Sequence, residues 1–594
     1  MANRFLEFYN DELDALRGRA QRFAEAFPKI AGRLRLSREV SDDPHVERLV
    51  QSFAWSAARI RQKLDDGLPE LTGGLLETLY PHYLAPLPSM TMIALTPAPG
   101  LDAVQTLPRG TEILSEPVEG DRVRFALTQA VELAPLRIAD ARMMNRPFEA
   151  PPYPGLNPAG ALRLTLAPSG RARLNALGVK RLRLWLAGPR PQAMALFQLL
   201  SQSCIGAALA LHSNDDSPRH LPAGALAPSG HGDDQGLLPY PEASFRGYRT
   251  LTEFFALPEK FLFFDLETGP LTGSDRQDIY LYFDQPPGAL ERQIDASAFT
   301  LFASPAVNLF PAQAEPITLD GTRTSFPLLA DARRPKTRAV HSVRHVTLAS
   351  PDGAAEPALP YFHRLTERHG EGVFWQIRRP EDDAAGTGDP WATTLSFVDK
   401  TERALAPGAR TASVEVLATN ADLPRKLPFG GGQPALSMQL YADHVSAVSC
   451  LTPPTAPRAP SMHADRAWAL LSHLSLNHQS LSGDGAPVLR NILRLYAPAD
   501  NRETARLIDA IAKVETRPGL TRLGQVMLPG TDITLTFDEG RIDPASAVFF
   551  GSALDRFLGC YTTINSFTRL KLRLGGRSDD LARFAPRAGA EALI

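Results

Sequence analysis

The sequence predicts a multidomain α+β fold, with an N-terminal helical segment, β-rich middle domains and a mixed α/β C-terminal domain. Apolar residues recur at helical spacing through the first ninety positions, and the period changes to alternation from about residue 90. Helical runs return beyond about residue 456. The 52 prolines in 594 residues each remove a backbone donor, which favours short strands and many connections over one long bundle.

In the first segment, residues 1–90, Phe5, Phe8, Tyr9, Leu13, Leu16, Phe23 and Phe27 fall near one face of a helix that Pro28 ends. A second helix takes Asp42 or Asp43 as its cap and Pro44 in its first turn. Its apolar stripe is Val46, Leu49, Val50, Phe53, Ala57, Ile60 and Leu64. A third starts at Pro69 and carries Leu71, Leu75, Leu76 and Leu79 before Pro81. Faces this apolar need a cover. The hairpin itself supplies some, and a partner's helices could supply the rest; the spacing is the same for both.

Residues 91–240 and 241–455 are expected as two β-rich domains. In RLRLWLA, Leu182, Leu184 and Leu186 face one way, and Arg181, Arg183 and Trp185 the other. DIYLYFD (278–284), VEVLA (414–418) and DITLTFD (532–538) repeat the pattern between turn residues. The stretch 212–242, dense in Asp, Ser, Pro and Gly, reads as a long exposed loop or boundary, and the proline-rich 451–465 as a second boundary.

The last domain, 456–594, is expected to mix helices and strands. Trp468, Leu471 and Leu474 mark one helix, Pro487 opens another through Tyr496, and Leu507, Ile508, Ile511 and Val514 mark a third. Phe550, Leu554, Phe557, Tyr561 and Ile564 form an aromatic-rich helical stripe, followed by the strand RLKLRL (569–574). Helix and strand could form one docking unit, because aromatic faces bury much area at low entropy cost. Packing within their own domain is the other reading.

Composition narrows the function classes. With 44% hydrophobic and 22% charged residues the chain can bury sizeable cores. A net charge of −2 gives no general reason to expect nucleic acid or an anionic membrane as partner. The N-terminus is amphipathic and acidic, unlike a signal peptide, and no run approaches the ~20 apolar residues that span a bilayer. Three dispersed cysteines argue against a disulfide framework. Together these predict a cytoplasmic protein without direct membrane insertion.

No fragment assembles an active site. His341 and His345 fall on a strand-like run, where four residues span ~13 Å, too far for one metal ion. His473 and His478 face different directions on a helix. Gly430, Gly431 and Gly432 lack the Lys-Ser/Thr pair of a phosphate loop and read as a turn. A multidomain enzyme with β-rich domains is the alternative, but it would need a convergent catalytic cluster. No catalytic, cofactor-binding or metal-binding residue, and no cofactor, is therefore expected.

The run DPHVERLVQSFAWSAARIRQKLDDGLPELTGGLLETLYPHYLAPLPSM (43–90) resembles the N-terminal signature of the TssF (ImpG/VasA) family of type VI secretion baseplate proteins. The resemblance continues in LPRGTEILSE (107–116) and FRGYRTLTEFFALPEKFLFFDL (245–266). SPAVNLF (304–310), ATNADLP (418–424), LSHLSLN (471–477), RPGL (517–520) and FFGSALDRFLGCYTTINSFTRLKLR (549–573) extend it over essentially the whole chain.

The resemblance implies a structural wedge subunit, similar to those of contractile-phage baseplates, with no substrate. Two copies of such a protein pair with one TssG, and wedges surround a VgrG spike hub. TssK connects them to the membrane complex and TssE to the contractile sheath, so the implied location is a baseplate docked at the inner membrane of a Gram-negative bacterium. By the same resemblance, residues 1–90 join a core bundle with TssG and the later domains make wedge contacts. The contact candidates are Leu49, Phe53, Ile60 and Leu64 in the second helix, and Phe550, Leu554, Phe557 and Tyr561 near the C-terminus. The aromatics of residues 245–266 are instead expected in a core around turns at Gly247 and Pro258.

Overall fold

The structure, a computed structural model, describes residues 2–33, 44–65, 69–241, 244–319, 323–350, 353–361, 373–379, 389–398, 410–460, 469–470, 485–498, 500–523, 526–577 and 579–589. The N-terminal segment forms α1 (Ala2–Ala26), α2 (Pro28–Arg33), α3 (Pro44–Asp65) and α4 (Pro69–Leu79). Proline opens three of them, as its fixed φ and missing N–H permit in a first turn. The capping aspartates expected before α3 lie outside the described residues. Helices α1 and α3 run side by side in opposite directions, with Arg17 on Glu47 at 2.6 Å and Arg61 on Glu12 at 3.0 Å.

Beyond α4 the chain enters a closed six-stranded barrel of strands Met90–Pro97, Ala303–Val307, Asp121–Leu127, Glu112–Val118, Leu436–Ser437 and Val445–Cys450. Ile93, Leu95, Ile113, Val123 and Phe125 fill it. Between the barrel's strands the chain builds two further sheets. One has five antiparallel strands in the order 219–222, 204–210, 277–283, 160–168, 136–145; the other orders 226–229, 263–267, 181–186, 299–300. Helices α5 (Arg190–Gln202) and α6 (Arg246–Ala256) belong to this part. An eight-stranded sheet spanning residues 310–419 leaves the barrel after Val307 and closes its own core around Val340, Leu348, Trp375, Phe397 and Val414.

The C-terminal part contains α7 (Gly485–Tyr496), α8 (Arg502–Asp509) and α9 (Pro544–Gly559). Strand Val526–Phe537 pairs in parallel with Phe567–Leu574, and α9 is the crossover that such pairing requires. Gly551 lets α9 approach the sheet closely: a Cβ there would lie 2.3 Å from Leu572. Leu570, Leu572 and Leu574 are buried on one face, as their alternation predicts.

Several expectations are corrected. The sequence blocks 91–240 and 241–455 are not separate domains: the five-stranded sheet joins 204–210 and 219–222 to 277–283, and the barrel combines 90–127 with 303–307 and 436–450. Alternation identifies strands but carries no information about distant partners. Residues 212–242 are not a plain loop, because they hold strands Arg219–Pro222 and Leu226–Ser229 and bury Leu226 and Leu237. The proline-rich 451–460 runs beside residues 87–92, with Leu451 N–H on Met92 O at 2.8 Å and Arg458 N–H on Leu87 O at 2.9 Å. Gly247 lies within α6 rather than in a turn, while Pro258 does open a turn, as predicted. Ile511 and Val514 belong to strand Ile511–Leu523, not to a helix. The helix expected around Trp468, and His473 and His478, lie almost wholly outside the described residues.

Candidate assembly interface

Helix α3 has two apolar faces with different fates. Ala54 and Ala58 are fully buried, and their small side chains let α1 approach. Leu49, Phe53 and Ile60 lie on average about 140° from the middle of that face, and within about 40° of one another, at 100° per residue. They are 70%, 65% and 64% exposed. Leu64 continues α3, but its side chain lies outside the described residues. Trp55 is also exposed; it meets Phe5 edge-on at 6.4 Å, and Arg59 lies over its ring at 5.1 Å. Alanines make the intramolecular seam, and the large side chains are left on the outside.

The C-terminal candidates are placed differently, and the contact surface expected there is corrected. Phe550, Leu554 and Phe557 are at most 1% exposed. Helix α9 is buried on nearly every side because it is packed between α5, α6 and the C-terminal sheet, and its buried Asp555 is paired with Arg587. Phe550 stacks on Phe254 at 5.6 Å, and Phe549 meets Phe197 at 5.2 Å. Tyr561 lies past the helix end, half-buried, with its hydroxyl 2.7 Å from that of Tyr248. Ile564 is exposed but is not part of the helix.

Around Tyr248 the aromatic rings of distant segments converge. Tyr248 stacks on Tyr496 of α7 at 4.9 Å and meets Tyr80, at the end of α4, at 5.9 Å and Phe557 at 6.0 Å. Phe245 packs on Tyr561 at 4.6 Å, and Tyr83 donates to Leu495 O at 3.2 Å. Burial raises the Tyr248 and Tyr561 hydroxyls above their ordinary range. This hub ties the helical N-terminus to the C-terminal part. Residue spacing could not reveal it, although Tyr80, Tyr83 and Tyr248 lie in the runs LYPHYLAP and FRGYRT.

Buried charges also join elements. Glu253 pairs with Lys260 and accepts from Leu237 N–H at 2.8 Å. Arg379 donates to Leu84 O, and to His341 O at 2.5 Å, joining the 310–419 sheet to the linker after α4. Burial raises the Glu77 carboxyl to about 7, against opposing contributions from Gln376 and Arg379. Burial lowers His82 and His341 to about 3, so both are neutral imidazoles at neutral pH. His341 and His345 do share a strand, Ala339–Ala349. Gly430, Gly431 and Gly432 all have positive φ, in a turn closed by Gln433 N–H on Gly430 O at 3.1 Å. Among the described residues no group of three His, Cys, Asp or Glu side chains could hold a metal ion, and no helix is long and apolar enough to cross a membrane.

A family model described as "Type VI secretion system, TssF" matches residues 1–591. The chain is 34% identical to "Type VI secretion system component TssF1" of Pseudomonas aeruginosa, over 98% of each chain. It also resembles a chain of a solved TssK-TssF-TssG baseplate subcomplex of the type VI secretion system. That likeness has a TM-score of 0.71 at 26% identity, covering 92% of this chain and 100% of the other. A chain of the type VI baseplate complex is similar with a TM-score of 0.59 at 26% identity, covering 98% and 100%.

Proposed function

The chain belongs to the TssF family of type VI secretion system proteins, and on that premise we propose that it is a structural, non-catalytic subunit of the baseplate wedge. It assembles with TssG and TssK, and the outer face of α3 is the surface that TssG covers. The observation that carries this assignment is the exposure of Leu49, Phe53 and Ile60 on a helix whose opposite face is already packed on α1. Three large apolar side chains in one row cost free energy in water, and a helix-in-bundle contact removes them from it. The baseplate role draws support from the likeness over nearly the full chain to members of the TssK-TssF-TssG assembly.

In this reading a second copy shares the wedge, the wedges surround the VgrG hub, and TssE links them to the sheath. The molecule holds these contacts rigidly and lets wedges rearrange when the sheath contracts. Its interior is suited to such a role, because the tyrosine hub and the Arg379 contacts tie the residues just after α4 to the C-terminal part and to the 310–419 sheet. Co-expression with TssG tests the proposal. A stable particle holding two copies of this chain per TssG is expected; a monodisperse chain that ignores TssG would refute it.

A further inference from the structure

We propose that a cleft where the barrel meets the 310–419 sheet is an oxyanion site that receives an acidic side chain of a protein partner. The cleft, of about 430 Å³, is lined by Arg122, Arg124, Arg334 and Arg338 against only two acids, Glu112 and Asp121. Asp121 is buried and already saturated. It accepts from Arg338 Nε and Nη2 at 2.9 and 2.7 Å, from Arg334 Nη1 at 2.5 Å, and from Thr337 Oγ1 at 3.0 Å. One carboxylate thus serves two guanidinium groups, and Arg334 remains half-exposed.

The other two arginines are still less satisfied. Arg124 lies 3.6 Å from Glu112, with both side chains open to solvent, and its guanidinium lies over Phe310 at 5.2 Å. Arg338 lies over the same ring at 5.0 Å. Arg122 is exposed and makes no side-chain hydrogen bond or ion pair among the described residues. The cleft therefore carries an excess of two positive charges above a buried Asp121–Arg338 pair. Planar guanidinium groups match the two oxygens of a carboxylate, which a diffuse basic surface would not select.

The inference deepens the assembly reading and rests on it for choosing a protein ligand over a free anion. Fluorescence anisotropy of a labelled hexaglutamate peptide with the full-length chain at low salt tests it. Binding should weaken about tenfold in Arg122→Glu and strengthen in Glu112→Gln, with melting temperatures unchanged in both. Hexaglutamine should not bind. Equal binding by wild type and Arg122→Glu would overturn the site, and displacement of the peptide by millimolar inorganic phosphate would reassign it to a free anion. The assay contains no TssG, so its failure would leave the α3 interface standing, and a failure at α3 would leave the cleft untouched.

Discussion

Asn308 and Asn420 hold each other where the chain enters and leaves the 310–419 sheet. Asn308 Nδ2 donates to Asn420 Oδ1 at 2.7 Å, and Asn420 N–H donates to Asn308 Oδ1 at 2.8 Å. Both are fully buried, and both reach the barrel strand: Asn308 Nδ2 donates to Arg124 O at 2.7 Å, while Arg124 N–H donates to Asn420 Oδ1 at 3.0 Å. The runs SPAVNLF and ATNADLP thus meet as one clamp that fixes the sheet to the barrel.

Removing one partner leaves buried polar groups unsatisfied, so Asn308→Ala should destabilise the chain by about 2–4 kcal/mol. Asn308→Ala combined with Asn420→Ala should cost clearly less than the sum of the two single changes, because they break one shared network. Denaturant titration of the four proteins measures this directly. Strict additivity would mean that the two amides act independently.

The α3 face gives a prediction of opposite character. Leu49 and Phe53 are exposed, so Leu49→Asp with Phe53→Asp should leave the chain's own stability within about 0.5 kcal/mol. Each new charge would be buried without a partner in a TssG contact, at a cost of at least several kcal/mol by order of magnitude. TssG co-purification should therefore be lost while melting is unchanged. Full retention of TssG by the double variant would sink the interface.

A pH effect follows from Glu77. Its carboxyl titrates near 7 in the folded chain and at 4.5 as a free side chain, with burial as the main cause. The folded state holds this proton more tightly, so its contribution to stability is present below pH 4.5 and lost as pH rises through 7. Glu77→Gln abolishes that loss. The variant should gain on the order of 2–3 kcal/mol over wild type at pH 8, and much less at pH 4.5. His82 and His341 act in the other direction, since lowered imidazoles lose stability as pH falls from 6.5 toward 3. They are common to both proteins, so the difference in stability isolates Glu77. A pH-independent difference would remove the buried carboxylate from the account.

The sequence made the local elements legible, and much less of their assembly. Pro44 and Pro69 open helices as expected, the first helix stops before Pro28, which itself opens the short α2, and the alternation of Leu182, Leu184 and Leu186 is a buried strand face. The spacing of Ile508, Ile511 and Val514 imitates a helix because the register shifts between Ile511 and Lys513. Ile511 then pairs with Phe537 and Val514 with Leu535, and both are buried. At the candidate interface, periodicity found the α3 stripe, but only packing shows that α1 takes the alanine face and leaves Leu49 and Phe53 outside. No period could pair Asn308 with Asn420, whose meeting is set by the fold.

The last prediction concerns Phe557, where burial reverses the expected role. A stripe of Phe550, Leu554 and Phe557 reads as a docking face if the rest of its helix is polar or covered from one side only. In α9 the intervening Ala547, Val548, Phe549, Ala553 and Leu558 are buried too, so no face of that part is left for a partner. Phe245 and Phe557 together occupy the space that Gly247 leaves open: a Cβ at Gly247 would lie 2.6 Å from Phe245 Cε1 and 3.1 Å from Phe557 Cδ2. Truncating such an aromatic typically costs ~3–5 kcal/mol, because its transfer energy is lost and a cavity remains. Phe557→Ala should therefore lower the melting temperature of the full-length chain, and Gly247→Ala should do so as well by crowding the Phe245 and Phe557 rings. Any loss of wedge assembly should follow from that lowered stability and recover on cooling. A Phe557→Ala protein that melts like wild type yet fails to assemble would restore the contact reading and contradict the packing described for α9.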